Sequence, residues 1–332
     1  MNNTYNLIKN LLTQASIPTH DTIFEIADQV SDILMAEKTP YRPAASGGEP
    51  GSLLDFHEDK IPMVVVPDLH ARPYYLLNIL KYKINNLTIF EGLEQKKLRL
   101  IFVGDILHSE RTSERWAAVQ AEFDEDICTG PSISAEMQEG LSLLCGLMKL
   151  KSAFPENVHI LKGNHENIYN ETGAGDFGFR KYADEGNMCR IFIQEYYGDD
   201  ILYMIHCFEK ALPLLAFGRK VIVSHAEPAL ALNRKQLIEA RYSPGVVESL
   251  TWTANDAANP DSVEKIIKNL TGREDAGDYL YIGGHRPVSG KYRLRQNGLF
   301  VQIHNPGEQH IAIVYNEKKF NPDTDIVEVS HE

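Results

Sequence analysis

The chain has 332 residues, 43% of them hydrophobic and 24% charged, and its 46 acidic against 33 basic residues leave a formal net charge of −13. That balance argues against gripping a nucleic-acid backbone over an extended surface, which depends on Lys and Arg neutralising phosphates. No apolar run reaches the roughly 18 residues of a membrane-spanning helix, and the N-terminal MNNTYNLIKNLLTQ lacks the charged n-region and cleavage site of a secretory signal.

In chain order, residues 1–40 read as helical, with Leu7, Leu11 and Leu12, then Ile23, Ile26 and Ala27, then Val30, Ile33 and Leu34 on one face. A break ending in Ala44-Ala45-Ser46-Gly47-Gly48-Glu49-Pro50-Gly51-Ser52 reads as a linker or mobile loop. The expected organisation is a helical extension and linker over 1–60, a main domain over 61–318 and a tail over 319–332. The extension either caps the domain or makes a dimer contact, so the oligomeric state stays open.

Short β-rich runs follow, each ending in polar residues. Residues 62–66 lead into Asp68 and His70, 98–103 into Gly104-Asp105, and 158–161 into Gly163-Asn164-His165-Glu166. Residues 221–223 lead into Ser224-His225, and 279–282 into Gly283-Gly284-His285. Continuous apolar runs of this kind suit strands covered on both faces. Helices are expected from Pro73, carrying Leu76, Leu77, Leu80 and Ile84, and over 132–151 and 183–197. Residues 167–200, with Tyr169, Gly173, Gly175, Phe177, Gly178, Phe179 and Tyr182, form an insertion that reads as a lid or as a connecting subdomain. Near the end, Leu299, Val301 and Ile303, then Ile311, Ile313 and Tyr315, alternate as in an antiparallel hairpin. Cys128, Cys145, Cys189 and Cys207 lack paired or Cys-x-x-Cys spacing and read as buried free thiols, which points to a cytoplasmic setting. The architecture implied is a layered α/β domain whose strands deliver polar residues at their C-terminal ends, the rim where such sheets bind ligands.

Asp-x-His, Gly-Asp-x-x-His, Gly-Asn-His-Glu, Ser-His and Gly-Gly-His thus close five successive strands. Any one of these is a chance match in most proteins; five in this order are not. Carboxylate, amide and imidazole donors without nearby thiolates favour Mn, Fe or Zn, with Mg also compatible, over a closed structural zinc site. Two such cations roughly 3.5–4 Å apart need one carboxylate bridging both and open positions for water.

With these residues in place, the chain resembles the calcineurin-like metallophosphoesterase superfamily and, within it, the phosphoprotein-phosphatase branch, from about Pro62 to Val314. Gly163-Asn164-His165-Glu166 and Gly284-His285-Arg286-Pro287-Val288 carry the resemblance most specifically, joined by Ala211-Leu212-Pro213-Leu214-Leu215-Ala216 and Leu250-Thr251-Trp252. The resemblance implies a four-layer αββα sandwich of two mixed sheets flanked by helices. It also implies a metal-dependent phosphoesterase in which activated hydroxide attacks a phosphate monoester, either a phosphoprotein or a small phosphorylated metabolite. Carried over residue by residue, Asp68 and His70 would hold the first metal, Asp105 would bridge, and Asn164, His225 and His285 would hold the second. His165 would protonate the leaving oxygen, with Glu166 and Asp176 as orienting partners.

The chain departs from that branch where Gly-Asp-x-Val-Asp-Arg-Gly is expected and Gly104-Asp105-Ile106-Leu107-His108-Ser109-Glu110 stands. Gly-Asp-x-x-His resembles the superfamily's nucleases and phosphodiesterases, which makes His108 a candidate catalytic helper. It also keeps a phosphodiesterase or nucleotide pyrophosphatase of dinucleoside-tetraphosphatase type as the alternative. The lost Arg leaves the phosphate clamp to Arg111, Arg180 or Arg273. Pro287 stands where many diesterases carry a further metal-binding His, and Glu227 would repel an anionic substrate unless paired or turned away. His206 reads as a packing residue, and His304 as either a support behind the site or a structural residue. A scaffold that kept the fold and lost catalysis would lack ligands, whereas all six are present.

Overall fold

The computed structural model describes residues 3–37, 40–110 and 113–329. The N-terminal stripe folds as α1 (Asn3–Thr13) and α2 (His20–Ala36), the latter begun by the Thr19 hydroxyl accepting the Thr22 N–H at 3.3 Å. β1 (Leu53–Phe56) and β2 (Met63–Val66) follow, then α3 (Pro73–Lys81) and a small ribbon of β3 (Lys83–Ile84) and β4 (Leu87–Thr88). Next come α4 (Ile89–Glu94), β5 (Arg99–Phe102), α5 (Ser113–Asp124), α6 (Pro131–Ala153) and β6 (Val158–Ile160). α7 (Glu185–Tyr197) and α8 (Asp199–Ala211) precede β7 (Leu215–Gly218) and β8 (Val221–Ser224). The short helices α9 (Arg234–Ile238), α10 (Pro244–Thr251) and α11 (Ser262–Thr271) lead to β9 (Leu280–Gly283), β10 (Arg293–Arg295) and β11 (Phe300–Gln302). β12 (His310–Val314), α12 (Pro322–Asp325) and β13 (Ile326–Glu328) complete the described chain.

The strands form two mixed sheets, ordered β1-β7-β8-β9-β11-β10 and β13-β12-β2-β5-β6. Period-two alternation assigns each strand's two faces to different layers. In the second sheet, Val64, Leu100 and Val158 share a register row and face the helices, as do Val66, Phe102 and Ile160. Met63, Val65 and Ile101 point the other way, into a core between the sheets. There they meet the row Leu54, Ala216, Val223, Ile282 and Val301 of the first sheet. The outer face of that sheet, with Phe217, Ile222, Tyr281 and Phe300, packs on Val246, Leu250, Val263 and Ile267 from α10 and α11. The result is the expected four-layer αββα sandwich.

Two expectations are corrected. The alternating segments near the C-terminus are not a hairpin: β11 lies in the first sheet beside β9, and β12 in the second beside β2. Each alternates because both of its faces are buried in different layers, not because the two pair. The sheet also begins before position 61, since β1 pairs in parallel with β7, and it continues past 318, since β13 pairs with β12.

The N-terminal helices pack against the domain. Ile8, Leu12, Ile23, Val30 and Leu34 are buried, with α1 against α6 and α2 against both α6 and α8. Of the cysteines, Cys145 and Cys189 are buried, Cys128 and Cys207 half-buried, and all four are free. No described helix is long and apolar enough to cross a membrane.

Candidate metal centre

β2, β5 and β6 run parallel, as do β8, β9 and β11, so the loops after each open at one rim. Backbone hydrogen bonds knit the loops before any side chain acts. His70 N and Leu69 N donate to Asp105 O at 2.8 and 3.2 Å, and Gly284 N donates to His225 O at 2.7 Å. The buried carboxylate of Glu166 accepts Asp105 N and Ile106 N, both at 2.9 Å, and Gly163 N at 2.6 Å. Glu166 thereby clamps the loops after β5 and β6. The chain turns sharply here: His70, Asp105, His108 and His285 have φ of 43, 53, 71 and 64°, a left-handed region that non-glycine residues adopt mainly where surroundings enforce it.

One cluster of donors forms where Asn164, His225 and His285 meet. Asn164 Oδ1 lies 2.9 Å from both His225 Nε2 and His285 Nδ1, and the two nitrogens are 3.2 Å apart. His225 commits its other nitrogen to Val103 O at 3.1 Å. A neutral ring then carries its proton on Nδ1 and turns the Nε2 lone pair toward the amide oxygen. Asp105 Oδ2 closes the cluster at 3.5 Å from His225 Nε2.

The adjoining cluster shares that same oxygen. Asp105 Oδ2 is 3.6 Å from His70 Nε2, whose Nδ1–H donates to His108 O at 2.9 Å. Asp68 turns Oδ1 to the His285 N–H at 3.0 Å, while its buried Oδ2 has no hydrogen-bond partner. Asp68, Asp105 and His225 offer donors within 4.8 Å of one another, as do Asp68, His70 and His304. The expected six ligands thus converge, and Asp105 stands between the two clusters.

The electrostatics fit divalent cations. Burial pushes His70, His165 and His225 well below the ordinary imidazole value, and His285 down to about 3 with Arg286 adding to the effect. Burial also raises Asp68, and raises Asp105 well above the ordinary carboxylate value, with Glu166 and Asp68 contributing. Neutral imidazoles crowded by acceptors, beside carboxylates that resist ionising, form a donor set that a bound cation relieves.

A cavity of about 250 Å³ opens beside the clusters, lined among others by His70, Asp105, Asn164, His165, His285 and Arg180. His165 stands at its edge, Nε2 3.7 Å from Asp105 Oδ2, with Phe179 stacked on the ring at 4.4 Å between centroids. His108 does not line this cavity. Its side chain is fully buried, stacked on Trp116 at 5.1 Å with Nε2 3.5 Å from Glu185 Oε1. A ring nitrogen of this buried side chain lies within 4.8 Å of donors of His70 and His165. His108 touches the site through its carbonyl on His70 and its ring beside His165, 4.8 Å between centroids.

Of the three candidate clamps, the exposed Arg180 lines the cavity, whereas Arg273 does not. Arg273 lies over Tyr279 and lines a separate pocket with Lys220, at the N-terminal ends of β8 and β9, opposite the site. Arg111 lies outside the described residues. Asp176 does not reach His165; it pairs with Lys162 at 3.1 Å and Lys210 at 3.3 Å. Glu227 is neutralised by Arg295 at 2.5 Å. His206 packs face to face with Tyr169 at 4.0 Å.

The sequence reading missed Lys181, Arg286 and Trp252 as cavity walls, and Glu110 beside the clusters. Arg286 directly follows His285, an expected ligand, which is a visible signal. Lys181 and Phe179 arrive from the 167–200 insertion, whose path no local pattern reveals. That insertion is pinned by Asn167 Nδ2 on Glu171 O at 2.9 Å and Phe177 O at 3.0 Å.

The family model described as calcineurin-like phosphoesterase matches residues 61–308. No curated protein sequence matches the chain. Among solved structures, a serine/threonine phosphatase from Saccharomyces cerevisiae, described as similar to human phosphatase PP5, superposes with a TM-score of 0.60 at 14% identity, over 93% of this chain and 89% of that one. A cold-active protein-tyrosine phosphatase of a psychrophilic Shewanella matches at 0.46 and 12% identity, covering 84% and 82%. A putative diadenosine tetraphosphatase matches at 0.40 and 13%, covering 79% and 92%.

Proposed function

Because the chain belongs to the calcineurin-like phosphoesterase family, we propose that it hydrolyses a phosphate monoester, on a phosphoprotein or small phosphorylated metabolite, at a dinuclear metal site. The observation that carries this reading is Asp105 Oδ2, within 3.5–3.7 Å of imidazole nitrogens of His225, His70 and His165. One carboxylate oxygen facing both donor clusters is what a bridged pair of ions requires. Asp68, His70 and Asp105 would hold one divalent cation, and Asp105, Asn164, His225 and His285 the other. Bound there, the pair supplies Lewis-acid stabilisation of the phosphoryl oxygens and activation of water, with Mn, Fe or Zn favoured by the donor types and Mg compatible.

This chain's own residues do the rest. Arg180, Lys181 and Arg286 line the cavity and attract the phosphate, Arg180 and Arg286 being able to bind it bidentately. Glu227 does not repel it, because Arg295 pairs with it. His165, kept neutral by burial, would take up a proton beside the anionic phosphate and give it to the leaving oxygen, which an ester with a poor leaving group requires. His108 acts behind it as a positioning residue, fixing His70 through a carbonyl bond.

The full burial of the His108 side chain, behind His165 rather than in the cavity wall, favours a monoester. Diester or nucleotide pyrophosphate cleavage is the alternative reading, supported by the aromatic wall of Trp252, on which a base can stack. Parallel assays on p-nitrophenyl phosphate, its bis-ester and diadenosine tetraphosphate decide. Faster turnover of the monoester is expected, and preference for either of the others would overturn the assignment.

A further inference from the structure

The two donor clusters are unequal in expected ligands. Asp105, Asn164, His225 and His285 surround one position, whereas only Asp68, His70 and Asp105 serve the other, and Pro287 after β9 offers no side-chain donor. His304, at the end of β11, stands beside the poorer cluster. It is fully buried, with Nδ1 3.5 Å from Asp68 Oδ2, and neither atom has a hydrogen-bond partner. Its ring centroid is 5.2 Å from that of His70, and Asp68, His70 and His304 each present a donor within 4.8 Å of the others.

The other ring nitrogen settles the tautomer. His304 Nε2 lies 2.8 Å from Glu110 Oε2. A carboxylate oxygen at that distance accepts the Nε2–H, which leaves the Nδ1 lone pair facing Asp68 and His70. A ring whose far N–H is held by a carboxylate is the arrangement that orients metal-binding histidines. Two lone-pair-bearing atoms, both buried and unpartnered, otherwise oppose each other at a cost that a packed core rarely leaves unrelieved.

We propose that His304 is a ligand of the first cation through Nδ1, oriented by Glu110, so that each ion has four protein ligands and shares one. The inference rests on the two-cation reading of the site. Isothermal titration of chelator-stripped full-length protein with Mn²⁺ tests it, and the unaltered chain should show two sites. His304→Ala is expected to weaken one site by about 100-fold or more and leave the other unchanged, and Glu110→Gln to weaken the same site by about 10–100-fold. Two sites of unaltered affinity in His304→Ala would overturn the proposal. Fewer than two in the unaltered chain would sink the two-cation reading first, before any substitution is made. Should His304→Ala fail to fold, His304→Cys loaded with Co²⁺ gives a direct readout. A thiolate-to-cobalt charge-transfer band in the near ultraviolet is expected, and a folded, cobalt-loaded variant without that band contradicts direct ligation.

Discussion

Asp105 combines constraints that no substitution satisfies together: Oδ1 accepts the His165 N–H at 2.9 Å while Oδ2 faces three imidazoles. Asp105→Asn keeps the shape but halves the acceptor capacity and removes the charge, so nearly all activity and most bound metal should be lost, as read by turnover and elemental analysis. His165→Gln should instead lower turnover by about 10²–10⁴-fold on a poor leaving group with metal content near that of the unaltered protein. Full turnover in that variant would remove the acid role. Gly284 is required for space: a Cβ there would lie 1.8 Å from Asp68 Oδ2. Gly284→Ala should displace that carboxylate, reduce bound metal and cost about 1–3 kcal/mol of stability. A titration away from the ions gives a further check. Burial pushes Glu209 up from 4.5 to about 8, while its Oε2 accepts the Ile168 N–H at 2.8 Å. Below about pH 4.5 both folded and unfolded forms are protonated; above it the unfolded chain ionises while the folded one holds its proton. The stabilising contribution is thus lost as pH rises toward about 8, and Glu209→Gln should flatten the fall in thermal midpoint over that window.

At the scale of elements, a buried ionic knot ties the N-terminal helices to the sheets. Glu37, just after α2, pairs with Arg42 at 2.6 Å and with Lys151 of α6, while Arg42 also donates to Gly51 O at 2.9 Å and Ala211 O at 2.7 Å. Arg42 and Lys151 are fully buried, so Glu37→Ala strands two cations and should destabilise by about 3–5 kcal/mol, read from the denaturant midpoint. A change under about 1 kcal/mol would show that the helices are not held this way. This knot was not legible in the sequence, because its members lie far apart and each resembles a surface charge. The strands were legible, since double-sided burial writes itself as continuous apolar runs such as Met63–Val66. Their partners were not: β11 and β12 share an alternation but belong to different sheets, and β1 is a four-residue strand interrupted by Asp55. The six expected ligands were readable as candidates because each lies within four residues of a strand's C-terminal end. His304 fits that rule too, but its strand was assigned to a hairpin. Arg180 and Arg273 looked alike in the sequence, and only the fold separates them, to opposite ends of the strands.

For the molecule as a whole, the site sits where the parallel strands of both sheets end, so ions bound there join the two halves of the sandwich. Binding to the folded state alone should stabilise it by RT ln(1 + [L]/Kd), about 2.7 kcal/mol per site at a hundredfold excess over Kd. The thermal midpoint should therefore rise with added Mn²⁺ and fall with chelator, and an unchanged midpoint would argue that the donors do not bind in the folded chain. The most direct measurement is anomalous X-ray diffraction from crystals of the Mn-loaded protein. Two peaks are expected roughly 3.5–4 Å apart, flanking Asp105, one beside Asp68 and His70 and the other beside Asn164, His225 and His285. A single peak, or peaks away from Asp105, would contradict the account.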